Sequence, residues 1–283
     1  MEDRSGQVTG IAVTFFVLTW LTVGLRCYVR YFIVKGFGLD DKLMVTTLCF
    51  FTAYLSCQLG GAAYGTGHHT PVRFGRWQDL IALEMPLDKD LHCVTTAMMH
   101  YCKGVAYAVT GDIANAQQER DALVEAVERI PASRICGDFP NRSNVVLQVG
   151  IAMLDGELEY RKGNYEEAFK RLEAAIQRDD DLTYAEPWPW MQPTRHAYAA
   201  LLLEQGRIEH AAAVYKADLG FDDTLPRARQ HPNNVWALRG YHESLITLGR
   251  KDEAEIIGQQ LRIALAVADV SVNVSCYCRR TRA

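Results

Sequence analysis

Apolar and polar positions divide the chain into two parts with different patterns. From residue 91 onward, apolar residues recur at helical spacing, which is typical of helices with one buried face. Nearer the amino end, residues 8–25 and 43–67 contain no charged residue. The pattern predicts an all-α protein in which an apolar helical segment precedes a longer set of amphipathic helices.

The two uncharged stretches have lengths that suit membrane helices. About 20 residues cross the hydrocarbon core of a bilayer, and the stretches hold 18 and 25 residues. We predict transmembrane helices at about 8–27 and 43–64, in a membrane segment 1–69, with a multi-pass membrane localisation. Two other interpretations of this segment stay open. One is a cleaved signal, although no small-residue cleavage site follows the first stretch. The other is a buried hairpin of a soluble domain.

The basic residues around the two stretches indicate which side of the membrane carries the rest of the chain. The loop between the stretches holds four Lys/Arg residues, whereas the N-terminal flank holds only Arg4. The positive-inside rule favours a cytosolic loop, which would place the remainder in the lumen. Asn141 and Asn273 each begin an Asn-x-Ser sequon and are the glycosylation candidates for that orientation. Three basic residues after the second stretch reduce the asymmetry, so the side stays open.

A glycine followed five residues later by an alanine occurs four times in the second part. The pairs are Gly111 with Ala116, Gly163 with Ala168, Gly206 with Ala211, and Gly249 with Ala254. Such self-similarity predicts a repeat array of helix pairs. We expect each glycine to end the first helix of a pair in a left-handed conformation.

A second position of the repeat holds a small residue in three of the four copies. Seven residues before the glycines, the copies hold Gly104, Gly156, Ala199 and His242. We expect a close helix crossing there, because only small side chains fit such a crossing. His242 departs from the pattern, so its imidazole must either tilt the helices apart or find a buried partner.

These repeats resemble tetratricopeptide (TPR) repeats, helix-turn-helix units of 34 residues, here with longer connections. The second part also resembles the C-terminal part of a longer family of TPR proteins. The matching stretches are 97–101 with Gly104, 153–157, 186–196, 203–206, 230–236 and 275–278. The resemblance implies a TPR-like solenoid of four repeats over 91–283, preceded by a linker at 70–90. It does not supply a biochemical activity.

Residues 5–69 resemble the first two helices of the fungal rhodopsin-like integral membrane family. The matching residues are 25–28 with Arg30, 38–41 and 65–68. The other five helices of that family have no counterpart here, so the resemblance implies a truncated membrane protein. Fused gene fragments without receptor activity are therefore one hypothesis for the whole chain.

The charge distribution bears on the choice of partner. Residues 84–283 hold 23 Lys/Arg and 29 Asp/Glu, a balance of −6. Nucleic-acid-binding domains carry a basic stripe, and this part has none. We therefore predict no nucleic-acid partner.

The TPR resemblance implies that first helices line a concave face, and its register selects the residues of a ligand-binding groove. These are Tyr101, Glu157, Tyr160, Arg161, His196, Glu204, Trp236, Arg239 and Glu243. Their aromatic, acidic and basic side chains suit a protein, a peptide or a small polar ligand. The main hypothesis is a membrane-tethered TPR scaffold that binds such a partner, with no cofactor. A homodimer stays open, because no polar capping helix is evident at either end of the array.

Catalysis has less support in the sequence. The chain has no nucleophile elbow, P-loop or dinucleotide fingerprint, so we assign no catalytic residue and favour a protein that is not an enzyme. The alternative is an enzyme or metalloprotein that uses the same groove, such as a tailoring activity of fungal metabolism. Its candidate metal ligands are His100, His196, His242, Cys276 and Cys278, although their spacing fits no common metal motif. We expect Cys276 and Cys278 to be exposed or packed thiols rather than ligands.

A tryptophan-rich segment interrupts the array between its second and third copies. Residues 179–193 contain three prolines, which exclude a continuous helix. We expect Trp188 and Trp190 to pack as a structural plug over the junction between these copies. A ligand-gripping loop is the alternative.

Overall fold

All regular secondary structure in the described part of the chain is helical, as the sequence predicts. The computed structural model describes residues 5–64, 69–135, 140–268 and 270–279, and these ranges contain no β-strand. The chain divides into two compact units, Met1–Gly67 and His68–Ala283.

The first unit is a pair of helices tied together by charged residues. Helix α1 (Ser5–Tyr28) continues into a π-helical turn (Val29–Ile33), and α2 (Leu39–Tyr64) packs against α1. Arg26 Nε lies 3.1 Å from Asp41 Oδ1, and Arg30 Nε lies 3.2 Å from Asp41 Oδ2. Two arginines thus neutralise the fully buried Asp41 at the start of α2.

The multi-pass localisation is wrong. Val13–Ile33 is the single segment among the described residues that is long and apolar enough to cross a membrane. Helix α2 does not meet these criteria over its described residues, and its first turn carries Asp40 and Asp41, followed by Lys42. Signal sequences and core helices of soluble proteins satisfy the same criteria as Val13–Ile33.

The second unit contains ten α-helices in the described ranges. They are α3 (His69–Arg73), α4 (Trp77–Ala82), α5 (Cys93–Thr110), α6 (Ile113–Glu128), α7 (Ser143–Arg161), α8 (Tyr165–Asp180), α9 (Thr194–Glu204), α10 (Ile208–Asp218), α11 (Val235–Thr247) and α12 (Lys251–Ala266). From α5 onward the helices pack as consecutive pairs, and neighbouring pairs also touch: α5 packs on α7, and α10 on α11.

The segment predicted as a linker contributes to the second unit. Residues 70–90 include α4 and most of α3. Val72 is buried and Leu80 is completely buried, and both belong to the same hydrophobic core as the paired helices. Apolar residues that recur within a short, proline-flanked stretch can therefore form part of a core.

The four repeat glycines end their helices as predicted. Gly111, Gly163, Gly206 and Gly249 have φ values of 95°, 86°, 75° and 73°. In this left-handed region a Cβ atom is unfavourable, so glycine is preferred. At the end of α5, the Gly111 N–H donates to Ala108 O and so satisfies one of the last carbonyls of the helix.

The predicted close crossing within a helix pair is present at Gly156, whereas Gly104 lies at a close crossing with α7, the first helix of the next pair. A Cβ atom on Gly104 would lie 2.6 Å from Leu154 Cδ2, and one on Gly156 would lie 2.6 Å from Leu172 Cγ. At the fourth copy, His242 lies against Gly258 of α12, where an added Cβ would be 3.1 Å from the imidazole Nε2. A glycine on the facing helix thus makes room for the larger side chain.

Candidate functional site

The nine residues predicted to line the groove fall into two sets. Glu204, Arg239 and Glu243 line an open groove on the second unit. The other six have buried side chains. They are Tyr101, Glu157, Tyr160, Arg161, His196 and Trp236. Other segments of the chain therefore cover much of the face that the sequence register selects.

The open groove has a volume of about 1010 Å³. It is bordered by Tyr165 at the start of α8, by the end of α9 with its turn, by α11, and by a non-helical segment after α12. Leu203, Ile246 and Val274 provide apolar lining. Apolar lining with a few placed polar groups is the usual composition of a ligand site.

Charged side chains at the groove are mostly held by one another or by the backbone. Arg279 Nη1 and Glu243 Oε1 are 2.6 Å apart. Arg239 Nε donates to Val272 O at 3.2 Å. Burial lowers the pKa of His242, and the positive charges of Arg239 and Arg262 lower it further. His242 is therefore a neutral imidazole at neutral pH, and it shares the groove with Arg239.

Residues 270–279, here called the C-terminal segment, cover part of the predicted face. Arg161 Nη2 lies 2.7 Å from Glu157 Oε1, and the same nitrogen donates to Cys278 O. The Tyr277 ring packs on Trp236 with ring centroids 5.8 Å apart. The C-terminal segment thus accounts for the burial of the Arg161–Glu157 pair and of one face of Trp236.

Two further contacts fix the middle of the C-terminal segment. The buried Tyr215 Oη donates to Ser275 Oγ at 2.6 Å. Cys276 and Cys278 form a disulfide and are buried. The expectation of free thiols was therefore wrong. The sequence spacing did not show that the chain turns at Tyr277 and brings the two sulfur atoms together.

The tryptophan-rich segment acts as a plug, in line with the structural prediction, but Trp190 packs nearer the amino end of the array than predicted. Trp190 is buried, and its ring lies 5.1 Å from that of Tyr101. The same indole packs on Gly150, where an added Cβ would be 2.9 Å from the ring. Trp190 therefore covers α5 and α7. Trp188 instead packs on His231, with ring centroids 4.5 Å apart.

His196 belongs to a buried polar network rather than to the open groove. Arg73 Nη2 donates to His196 Nδ1 at 2.9 Å, so the proton of the neutral ring lies on Nε2. That nitrogen donates to Asp218 Oδ2 at 2.8 Å, and His231 Nδ1 donates to Asp218 Oδ1 at 2.8 Å. The network links α3, α9, α10 and the loop before α11.

Burial sets the charges within this network. It lowers the pKa of His196 to about 4 and that of Arg73 to about 9. Burial also raises the pKa of Asp218, but the two facing histidines outweigh this effect and hold that pKa below its usual range. At neutral pH the network therefore contains a neutral His196 between a charged Arg73 and a charged Asp218. This arrangement suits a structural role, because every ring nitrogen of His196 has a partner.

The candidate metal ligands do not converge. His100 Nδ1 pairs with Glu119 Oε2 at 2.6 Å, far along the array from His242. His196 is held in the buried network, and Cys276 and Cys278 form the disulfide. Among the residues with described side chains, no group of three His, Cys, Asp or Glu residues is placed to hold a metal ion.

The two sequons lie in different environments. The Asn141 side chain is buried; its Nδ2 donates to Thr183 O at 2.6 Å, and its Oδ1 accepts from Thr183 N at 2.8 Å. A glycan on that nitrogen is incompatible with this folded arrangement. Asn273 is exposed and lines the open groove.

Sequence reasoning missed the residues that cover the predicted face. Arg73, Asp218 and Tyr215 contact this face or the network beneath it, but none belongs to a motif. Arg279 was also missed, because the ending Ser-Cys-Tyr-Cys-Arg gives no indication that it folds back onto α11. The alternation of valine with polar residues over 270–275 is the one available signal that this stretch packs on the rest of the unit.

The chain matches no protein-family profile, no curated protein and no solved structure. The resemblances to TPR proteins and to the rhodopsin-like family therefore rest on the residues quoted above. The site must be interpreted from its own geometry.

Proposed function

We propose that the second unit is a TPR-like solenoid that acts as a scaffold and binds a protein or peptide segment in the open groove. Four consecutive helix pairs, each with a left-handed glycine after its first helix, support the TPR-like architecture. Helical arrays of this kind commonly present a continuous face to a partner.

One observation carries the peptide-binding proposal. This face already holds a non-helical segment, and Arg161 and Arg239 bind backbone carbonyls of that segment. Every peptide presents such carbonyls, so the same interaction is available to a partner in trans. The groove beside the segment adds apolar surface at Leu203 and Ile246 for side chains of the bound peptide.

The first unit has the role of a tether in this proposal. Along Val13–Ile33 the side chains of Phe15, Leu21 and Leu25 are 62%, 63% and 66% exposed. A single helix of this length and composition anchors a protein in a bilayer. We expect the chain to stay with membranes after alkaline carbonate extraction, and replacement of Leu18 and Leu21 by aspartate to release it. Recovery of the unaltered chain in the supernatant would reject the tether.

A displayed peptide library of random sequence tests the binding function. Peptides are selected against the full chain and then measured against two variants. Ile246→Asp alters the groove at a residue that is 58% exposed, whereas Ile263→Asp alters the outer surface of α12 at a residue that is 70% exposed. We expect Ile246→Asp to weaken binding at least about tenfold, which corresponds to about 1.4 kcal/mol, and Ile263→Asp to leave it unchanged. Equal affinity for both variants, or no selected peptide, would reject the groove as the binding site.

A further inference from the structure

We infer that the C-terminal segment is an intramolecular ligand of the second unit, and that a partner segment of the same chemistry competes with it. The required chemistry is a non-helical segment with free carbonyls, a small hydroxyl side chain and a basic residue four positions later. This inference rests on the proposed binding function, because it names the class of partner and the competitor for the same face.

The innermost anchor is a buried ion pair whose arginine also donates a hydrogen bond to the carbonyl oxygen of Cys278. The side chains of Arg161 and Glu157 are 4% and 5% exposed. Arg161 donates to both Glu157 Oε1 and Cys278 O. A buried guanidinium that loses an acceptor is costly. A segment that places a carbonyl oxygen at Arg161 is therefore more favourable than a face with no segment bound.

The second anchor determines which side chain fits at position 275, three residues before Cys278. Tyr215 Oη donates to Ser275 Oγ, and both residues are completely buried. Burial raises the pKa of Tyr215, so the phenol remains a donor at all physiological pH values. A serine or threonine hydroxyl satisfies this donor, whereas an alkyl side chain at the same place leaves it unpaired.

The outer anchors lie at the edge of the groove and are weaker. Arg239 binds Val272 O, and Arg279 pairs with Glu243, whose side chain is 37% exposed. Exposed ion pairs contribute little to stability and are screened by salt. A competitor therefore begins to displace the C-terminal segment most readily at Arg279.

The connection to the rest of the chain allows such displacement. Helix α12 ends at Ala266, and Val267, the next residue, is 85% exposed. Within the described ranges, no backbone–backbone hydrogen bond joins residues 270–279 to a helix of the unit. Over the described residues, each hydrogen bond between this segment and the rest of the unit uses at least one side chain, and another segment that offers the same groups can replace it.

The experiment uses a synthetic, fluorescein-labelled peptide with the sequence of residues 270–279, oxidised so that its two cysteines form the disulfide. Its affinity is measured by fluorescence anisotropy for the unaltered full chain and for full chains that carry substitutions. Ser275→Ala with Arg279→Glu weakens the intramolecular segment without altering the face that receives the peptide. Arg250→Glu changes charge equally at an exposed surface pair and serves as the control.

We expect the Ser275→Ala/Arg279→Glu chain to bind the peptide at least about tenfold more tightly than the unaltered chain or the control, since two anchors of the intramolecular segment no longer compete. Adding Tyr215→Phe to that chain should remove most of the gain. Circular dichroism verifies the fold, and Ser275→Ala alone replaces the double variant if the latter unfolds. Equal affinity for all chains, or no binding to any, would overturn the inference.

The outcome can be separated from a failure of the proposed function. Suppose that library peptides bind the unaltered chain and that Ser275→Ala/Arg279→Glu leaves their affinity unchanged. This result would reject the inference that the C-terminal segment is an intramolecular ligand, but it would leave the proposed function of the open groove intact. Suppose instead that the labelled peptide binds the substituted chain but the library yields no binder. This result would support the face as the binding site of the C-terminal segment and would reject the proposal that the open groove binds other partners.

Discussion

His242 of α11 and Gly258 of α12 pack against each other across a helix pair, sixteen positions apart in the sequence. The second pair holds the reverse combination at the same separation, with Gly156 on its first helix and Leu172 on its second. Each crossing combines a glycine with a larger side chain, but opposite helices carry the glycine. The array thus preserves the volume at the crossing rather than the identity of either residue.

This complementarity predicts the effect of a size exchange. Gly258→Leu forces a side chain into the space of His242 and should lower the free energy of unfolding by about 1–3 kcal/mol. Adding His242→Ala should recover at least about 1 kcal/mol of that loss, because the alanine frees the space. Urea denaturation measures both values, and Gln259→Leu at the adjacent exposed position is the control. A double variant as unstable as the sum of the single variants would contradict this relationship.

The hydrogen bond between Tyr215 and Ser275 predicts a coupled loss of stability. Tyr215→Phe leaves a buried hydroxyl without its donor and should cost about 1–2 kcal/mol. A cycle with Ser275→Ala should give a coupling energy of about 1 kcal/mol. Tyr241→Phe is the control, because that residue is also buried but its hydroxyl forms no hydrogen bond in the described ranges. Equal losses for the two tyrosines would indicate that this bond adds nothing to stability.

His196 predicts a dependence of stability on pH. Burial holds its pKa at about 4, whereas the pKa of an unfolded histidine is about 6.5. Between these values the unfolded state binds more protons, so stability decreases as the pH falls from 6.5 towards 4. Relative to a His196→Gln chain, we expect the unaltered chain to lose about 2 kcal/mol between pH 7 and pH 5.

The comparison with His196→Gln removes an opposing effect. Burial raises the pKa of Asp179 to about 6, so that carboxyl group increases stability as the pH falls through this range. Asp179 is present in both chains, and its contribution cancels in their difference. Denaturation midpoints at pH 5, 6 and 7 provide the measurement. Parallel curves for the two chains would mean that His196 is already protonated or solvated in the folded state.

The turn glycines predict a purely backbone effect. A Cβ atom on Gly206 meets no atom within 4 Å, but the φ value of 75° disfavours one. Gly206→Ala should therefore cost about 1 kcal/mol, and Gly206→Asn less, because asparagine tolerates this conformation. Gly156→Ala should cost more than Gly206→Ala, since its Cβ also meets Leu172. Thermal unfolding ranks the three variants, and the order Asn worse than Ala at Gly206 would contradict the explanation.

The disulfide predicts a local response to reduction. Dithiothreitol transfers two electrons and two protons, so that Cys276 and Cys278 become thiols while the reagent becomes a cyclic disulfide. Amide exchange in residues 272–278 should then become faster, whereas α7 and α8 should be unaffected. Hydrogen-exchange mass spectrometry measures the change. A Cys276→Ser chain should show the faster exchange without reductant, and no difference between the two chains would exclude a role for this disulfide in holding the segment.

The sequence predicted those features that depend on local backbone geometry. Gly111 and Gly163 need left-handed φ angles, and Gly104 and Gly156 need close crossings, so each requirement leaves a visible trace in the sequence. The all-α fold follows from the same periodic pattern. The membrane topology failed because an absence of charge over residues 43–67 describes composition alone, and composition does not determine whether a helix spans a membrane.

The candidate site was predicted less well, because it depends on which distant segments cover which face. The register selected Glu204, Arg239 and Glu243, which line the groove. It also selected Arg161 and Trp236, which the C-terminal segment covers. Contacts over 117 residues, such as that of Arg161 with Cys278, leave no periodic signal in one sequence.

The position of the C-terminal segment also sets an order of events during synthesis. Arg161 leaves the ribosome 117 residues before Cys278, its acceptor. At about 5–20 residues per second, this interval is on the order of ten seconds. During that time the Arg161 guanidinium lacks the Cys278 carbonyl, and the Tyr215 phenol lacks the Ser275 hydroxyl for the 60 residues that separate the two. These contacts of the second unit are thus complete only after translation has passed residue 278.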